Sequence, residues 1–326
     1  MHLVFVHLGT AKARHLRPNI RRARELFPEA PITLIYSEVA FIENYKNLGI
    51  TLHRYHEVSE QTHALANMSH NSKFRNNFWR YSIERLYALE QWHSKNQSEK
   101  IIHIESDILL LPNFPFLEFN LIDTLGWCSF NESHDVASII FSPNYAETRW
   151  LIDEFNRTLK LDPTLTDMTG LRHIKKMFPE RSLYLNSEGG RRILGGFLDA
   201  APFGMWLCGR DPRNYSGVTR RFMNLPESEI DPSQYVFSFD KKANLTVQRF
   251  GASPTKLFNL HVHSKQKSLF SSHWSTTLKL LVFTSKLKFP KSWFSLRAFL
   301  ELLLDFFQRN GKKSLTIIFK RIVNYK

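Results

Sequence analysis

The N-terminal part of the chain alternates short continuous apolar runs with segments of helical spacing. Runs at 2–8, 32–36 and 48–55 predict buried strands, and a basic segment from Pro18 to Phe27 predicts a helix between the first two. Strand, helix and strand in this order form a βαβ unit, whose strands are parallel. The pattern therefore predicts an α/β fold.

The middle of the chain continues this alternation. Trp79, Ile83, Leu86 and Leu89 recur at helical spacing and predict an amphipathic helix that packs on the sheet. Further strands are predicted at 125–130 and 137–141, and further helices at 145–160 and 167–178. We expect a mostly parallel sheet with helices on its faces.

The apolar run from Ile101 to Leu110 is interrupted by two acids, Glu105 and Asp107. If the run is one extended strand, side chains alternate and both carboxylates point to the same side. Two carboxylates at a strand end form a ligand set for a hard divalent cation. The alternative is an ordinary strand end with two solvated acids.

The carboxyl ends of three predicted strands are polar. They are marked by Leu8-Gly9, by Ser37-Glu38 and by the Glu105–Asp107 segment. Parallel sheets bind ligands at this edge. The three strand ends are therefore expected to line one crevice.

The stretch from 188 to 217 is dense in glycine and contains three acids, Glu188, Asp199 and Asp211. Glycine allows the backbone to approach a ligand closely, and a carboxylate there can bind a substrate or act as a base. The alternative is a long connecting loop.

A later segment carries two histidines, His261 and His263, followed by Lys265. On an extended segment the three side chains share one face. An imidazole can complete the coordination of a divalent metal, and the lysine can neutralise phosphate oxygens. A histidine satisfied within the core is the alternative for each.

The formal charge of +14 is concentrated at the C-terminus. Residues 267–326 contain twelve Lys and Arg against two acids, a net +10. This asymmetry argues against a nucleic-acid-binding face spread over the whole fold.

The two cysteines exclude a disulfide framework, and the N-terminal sequence predicts a cytosolic-side protein that is not secreted.

The segment 267–326 mixes aromatic and aliphatic clusters with lysines and has no run of about 18 uncharged apolar residues. This pattern is typical of an amphipathic segment that lies on an anionic membrane surface. The alternative is a helical extension that covers the main domain.

Six motifs follow one another along residues 1–265. They are His7-Leu8-Gly9, Phe78–Arg85, Ile102–Asp107, Gly195–Gly204, Asp211–Asn214 and Asn259–Lys265. Taken in this order, they resemble GT-A nucleotide-sugar glycosyltransferases of the bacterial polysaccharide type.

The resemblance implies a Rossmann-like GT-A domain in which Glu105-Ser106-Asp107 takes the place of the family's DxD motif. Asp107 would then bind Mn²⁺ or Mg²⁺, and His261 or His263 would be the second protein ligand. The motif departs from the family at its first position, where Glu105 replaces aspartate. Its longer arm could reach the ribose or a metal-bound water instead.

The resemblance also implies the donor and acceptor contacts. The nucleotide-sugar-binding residues would be His7, Gly9, Ser37, Arg85, Glu105 and Lys265. Arg85 would approach the pyrophosphate. Asp199 is the first candidate for a base that deprotonates the acceptor, and Asp211 is the second.

Together these interpretations predict a catalytic domain at 1–266 and a membrane-associating tail at 267–326. The expected function is transfer of a sugar from a nucleotide-diphosphate sugar to a glycan or lipid-linked acceptor, on the cytoplasmic face of the membrane and without a nucleic-acid partner. The alternatives are a non-catalytic membrane scaffold on a transferase fold and a basic nucleic-acid-binding protein.

Overall fold

The computed structural model describes residues 1–10, 13–56, 77–211, 227–264 and 267–285. Its centre is a seven-stranded sheet with the order β3-β2-β1-β4-β7-β6-β8. The strands are β1 His2–His7, β2 Ile32–Tyr36, β3 Thr51–Arg54, β4 Ile101–Ile104, β6 Leu125–Ser129, β7 Asp135–Ser142 and β8 Ser182–Tyr184.

Within this sheet β7 is antiparallel to both of its neighbours, and the other strand pairs are parallel. The carboxyl ends of β1, β2 and β4 therefore lie at one edge, as predicted. The mostly parallel sheet confirms the predicted α/β class.

Helices cover both faces of the sheet. Their bounds are α1 Leu16–Leu26, α2 Phe78–His93, α3 Tyr145–Leu161, α4 Asp167–Met177, α5 Glu188–Leu194, α6 Pro202–Cys208 and α7 Trp274–Ser285. Leu3 and Phe5 of β1 pack with α1 on one face. Val4 and Val6 alternate with them and pack with α2 on the other.

A second, smaller core lies beside this sheet. It contains a four-stranded sheet, β10-β11-β12-β9, and a two-stranded sheet, β13-β5. The strands are β5 Ile108–Leu110, β9 Gly196–Phe197, β10 Tyr235–Phe239, β11 Leu245–Arg249, β12 Thr255–Leu257 and β13 Asn259–His261. Helices α6 and α7 supply buried side chains to the same core.

Helix α7 belongs to the segment predicted as a membrane-associating tail. It buries Leu278, Leu281 and Val282 in the second core. At its start, the Trp274 ring lies 3.6 Å from the guanidinium carbon of Arg22 on α1. The described part of the predicted tail is therefore packed on the fold, and 286–326 lie outside the described residues.

The described helices include none with both the length and the apolar character needed to span a bilayer.

Candidate metal centre

The two acids of the central run lie on a turn between two strands. Strand β4 ends at Ile104, where the Glu105 N–H donates to the Ser138 carbonyl at 2.9 Å, and the Ile108 N–H then donates to the Glu105 carbonyl at 3.2 Å. Beyond this turn, β5 pairs with β13 outside the central sheet. The acidic pair therefore lies where β4 leaves the sheet, as predicted, but on a turn and not on an extended segment. The carboxylates come together because of the turn and not because of strand alternation.

Helix α1 holds this turn from one side. The buried Asn19 amide donates to the Ser106 carbonyl at 3.2 Å and to the Ile108 carbonyl at 2.6 Å. The His15 Nε2 lies 3.1 Å from the Ser106 hydroxyl. Because α1 follows the carboxyl end of β1, these contacts join the turn to the neighbouring strand end.

Strand β13 brings His261 to the other side of the turn. It is antiparallel to β5, with His261 opposite Ile108. The Val262 N–H donates to the Asp107 carbonyl at 2.9 Å. A backbone ladder therefore fixes the histidine beside the acidic turn, although the two segments are far apart in sequence.

Glu105, Asp107 and His261 form one cluster. Each offers a ligand atom, and these atoms lie within 4.8 Å of one another. The His261 Nε2 is 3.5 Å from a carboxylate oxygen of Glu105 and 3.5 Å from one of Asp107. The structure thus brings together the acidic pair and one of the two predicted histidines.

The imidazole of His261 is oriented for coordination. Its Nδ1 donates to the Ala200 carbonyl at 2.7 Å, so Nε2 is the ring atom directed at the carboxylates. Burial would by itself lower the pKa of His261, but the Asp107 and Glu105 carboxylates raise it to about 9. The site attracts positive charge at this point, and two carboxylates with an imidazole nitrogen form a ligand set for a divalent cation.

His263 contacts this cluster through the ring of His261. Its ring stacks on the His261 ring, with centroids 3.9 Å apart and an interplanar angle of 29°. Over the described ranges, the metal-competent group contains His261 and not His263. Lys265, the predicted phosphate contact, lies outside the described residues.

Arg85 of α2 joins the acidic turn to α4. One terminal nitrogen pairs with Glu105, and the other lies 2.7 Å from a carboxylate oxygen of Asp167. Burial would lower the pKa of Arg85, but the facing carboxylates of Glu105 and Asp167 give a net increase. Arg85 therefore remains charged and holds Glu105 in place. Direct contact with a pyrophosphate stays a prediction.

Asp167 was not among the predicted site residues. It is buried at the first position of α4, directly after the N-cap Thr166. Burial raises its pKa, and Arg85 opposes that increase. An acid in the first turn of a helix is normally explained by the helix dipole, so nothing in the sequence pattern places Asp167 beside Glu105.

The strand ends predicted to contact the nucleoside lie together. The Gly9 N–H, just beyond His7 and the end of β1, donates to the Ser37 hydroxyl at 2.9 Å. Gly9 has φ +77°, and a Cβ there would lie 2.7 Å from the Tyr81 ring of α2. A side chain at this position is therefore excluded both by conformation and by space.

The two predicted bases are both buried. The Asp199 carboxylate accepts the backbone N–H groups of Phe203 at 3.0 Å, Gly204 at 2.7 Å and His261 at 3.0 Å. Burial raises its pKa to about 6, and these N–H donors oppose the increase. A base has to face an acceptor hydroxyl, whereas this carboxylate faces backbone. Asp211 is the last described residue before 212–226.

No protein-family model matches the sequence, and no curated protein matches it. Solved glycosyltransferase structures do match. The galactosyltransferase LgtC, solved with donor and acceptor sugar analogs, is 10% identical over 90% of this chain and 99% of its own, with a TM-score of 0.45. Mouse xyloside xylosyltransferase 1 is 15% identical over 57% of this chain and 84% of its own, with a TM-score of 0.38. Sequence identity and TM-score are both low in each case.

Proposed function

We propose that this chain is a metal-dependent glycosyltransferase that uses a nucleotide-diphosphate sugar and a glycan or lipid-linked acceptor. The observation that carries the proposal is the convergence of Glu105, Asp107 and His261 at the carboxyl edge of the parallel sheet. This edge is where α/β sheets bind their ligands. The hydrogen-bonded strand ends at Gly9 and Ser37 lie on the adjacent strands of the same edge.

The ligand set explains the choice of a divalent cation. Glu105 and Asp107 provide anionic oxygens, and the Nε2 of His261 provides a nitrogen that also suits Mn²⁺. When bound, such an ion supplies electrostatic stabilisation of the charge that develops on a leaving nucleoside diphosphate. Such stabilisation favours sugar transfer from a diphosphate donor.

The surrounding side chains keep the ligands in position. Arg85 holds one oxygen of Glu105, while the other oxygen faces His261. Asn19 fixes both ends of the acidic turn through backbone carbonyls. In this proposal Arg85 acts on the donor through Glu105, and Lys265 remains a predicted phosphate contact.

The nucleoside is assigned to the side of Gly9 and Ser37. The absence of a side chain at Gly9 allows the Tyr81 ring to approach the end of β1. His7 ends the same strand. Asp199 has a positioning role in this proposal, and Asp211 remains the predicted base for an inverting reaction.

We also propose that the chain is peripheral on the cytoplasmic face of a membrane. The surface of α7 exposes Leu280 and Phe283, and the following sequence is rich in lysine and aromatic residues. Exposed apolar side chains and basic residues together favour an anionic bilayer. A nucleic-acid partner is not favoured, because a net +10 of the total +14 lies in this terminal segment.

A donor panel tests the proposed activity. UDP-, GDP-, CMP- and dTDP-sugars are incubated with the full chain and Mn²⁺, and nucleotide release is measured with and without EDTA. We expect release from one of the diphosphate donors, lost in EDTA and restored by excess Mn²⁺. Full release in EDTA would contradict the metal assignment, and no release from any donor would favour the non-catalytic scaffold.

A further inference from the structure

The segment between β9 and α6 encloses the backbone of His261. Asp199 is 1% exposed at the centre of this segment. Its Oδ2 accepts the N–H groups of both His261 and Gly204, and its Oδ1 accepts that of Phe203. A single carboxylate therefore joins the first turn of α6 to the strand that carries the candidate metal ligand.

Asn259 connects the same strand to Asp199 a second time. Its Oδ1 accepts the Asp199 N–H at 2.9 Å, and its Nδ2 donates to the Asp199 carbonyl at 3.0 Å. The Asn259 side chain is fully buried. Because both ends of the amide are used, a residue without them would leave buried backbone groups unsatisfied.

Gly204 closes the arrangement from the α6 side. A Cβ at this position would lie 2.1 Å from the carbonyl oxygen of His261 and 2.8 Å from Oδ2 of Asp199. The His261 ring is fixed independently, through Nδ1 and the Ala200 carbonyl. The N–H and the ring of His261 are thus both held by residues 199–204, and Gly204 packs closely against its carbonyl.

We propose that Asp199, Asn259 and Gly204 form a His261 cradle that determines the affinity of the site for its divalent metal, an inference that rests on the proposed function. A metal ligand has to be placed within a few tenths of an ångström, and here the placement is set by the backbone of the ligand itself. Asp199 is consequently a positioning residue, which acts on the metal through His261.

The variant Asp199→Asn tests the cradle. An asparagine has one acceptor oxygen where the carboxylate uses two, so its NH₂ group would face at least one of the three N–H donors. We expect the Kd for Mn²⁺ to rise about tenfold or more, as is typical when the partner of a metal ligand is altered. Mn²⁺ binding to the full chain is measured by titration calorimetry or by the electron paramagnetic resonance signal of free Mn²⁺.

Two further variants separate this effect from a loss of stability. Asn259→Ala removes the second connection and should weaken Mn²⁺ binding in the same direction. Asn144→Ala is the matched control, because Asn144 accepts the Glu147 N–H at the start of α3 and has no contact with the cradle. It should lower the melting temperature and leave the Kd for Mn²⁺ unchanged. If Asp199→Asn does not fold, the Kd of Asn259→Ala for Mn²⁺ tests the cradle.

Turnover distinguishes a positioning role from a base. At saturating Mn²⁺ the rate of Asp199→Asn should return to near that of the wild type, because the residue acts through ligand position. An unchanged Kd for Mn²⁺ in the folded Asp199→Asn and Asn259→Ala variants would overturn the proposal. If the Kd is unchanged while kcat falls, Asp199 acts on the acceptor instead. If the proposed function itself were wrong, the wild type would neither bind Mn²⁺ nor transfer sugar. This result is distinct from an unchanged Kd in the variants.

Discussion

At the scale of single residues, the site depends on how its charges are paired. Arg85 lies between Glu105 and Asp167, and all three side chains are largely buried. A guanidinium can satisfy two carboxylates at once because its N–H groups form a rigid fork. Removing one carboxylate would leave part of a buried cation without its partner.

We expect Asp167→Ala to lower the free energy of unfolding by about 3 kcal/mol, which is typical for breaking a buried ion pair. Urea denaturation followed by circular dichroism measures this change. The matched control is Asp153→Ala, which removes an exposed partner of Arg149 and should change stability by less than about 0.5 kcal/mol. If Asp167→Ala lowered the free energy of unfolding as little as Asp153→Ala does, the ion pair between Arg85 and Asp167 would not stabilise the fold.

The sequence predicts the residues of the candidate metal centre by type but not the side chains that position them. Glu105 and Asp107 followed a strong strand signal, and His261 preceded a predicted phosphate contact. Asp167 could not be identified, because its partner is determined by the packing of α4 beside α2. The prediction that Asp199 is a base rests on residue type alone. The three backbone N–H groups that its carboxylate accepts follow from tertiary packing, which a sequence does not show.

At the scale of elements, the apolar pattern predicts where strands and helices lie along the chain, but it does not predict which strands pair with each other. The predicted strands at 2–8 and 32–36 and the helix around Leu86 are present within a few residues. The run from Ile101 to Leu110 predicts a strand end at Glu105–Asp107, but it does not predict which sheet the apolar residues beyond Asp107 join. Each half is buried, but in a different sheet, and periodicity does not distinguish these cases.

Two adjacent leucines of α7 test whether this helix packs in the folded core, because one is buried and the other is exposed. Leu281 is fully buried in the second core, whereas the adjacent Leu280 is 47% exposed. We expect Leu281→Ala to destabilise the protein by about 3 kcal/mol and Leu280→Ala by less than about 0.5 kcal/mol. Thermal and urea unfolding of the two variants measure the difference. Similar, small effects would mean that α7 is not part of the folded core.

At the scale of the whole molecule, the two cores are joined at the candidate metal centre. Strand β5 follows the acidic turn directly and pairs with β13, which belongs to the second core. The site therefore requires both cores to be folded. The predicted boundary at residue 266 divides this second core, because α7 packs in it.

Two truncations test this arrangement together with the proposed membrane role. A chain ending at Ser285 keeps α7 and should remain folded and active on a soluble acceptor analogue. Its binding to phosphatidylglycerol vesicles should fall sharply, because most of the basic residues of the C-terminal segment are removed. A chain ending at Gln266 also loses buried residues such as Leu278 and should melt at a lower temperature. Vesicle sedimentation at low and high salt measures binding. Retention of vesicle binding by the chain ending at Ser285 would exclude residues 286–326 as the membrane contact.

The most direct test of the metal-dependent activity is the rate of nucleoside diphosphate release by Asp107→Asn with an accepted donor and saturating Mn²⁺. The substitution keeps the shape of the side chain and removes the charge that holds the cation. Asp123→Asn is the control, because Asp123 is exposed and pairs with Lys100 away from the turn. We expect release to be abolished in Asp107→Asn and unchanged in Asp123→Asn, with both variants folded. Wild-type release by folded Asp107→Asn would contradict the proposed metal centre.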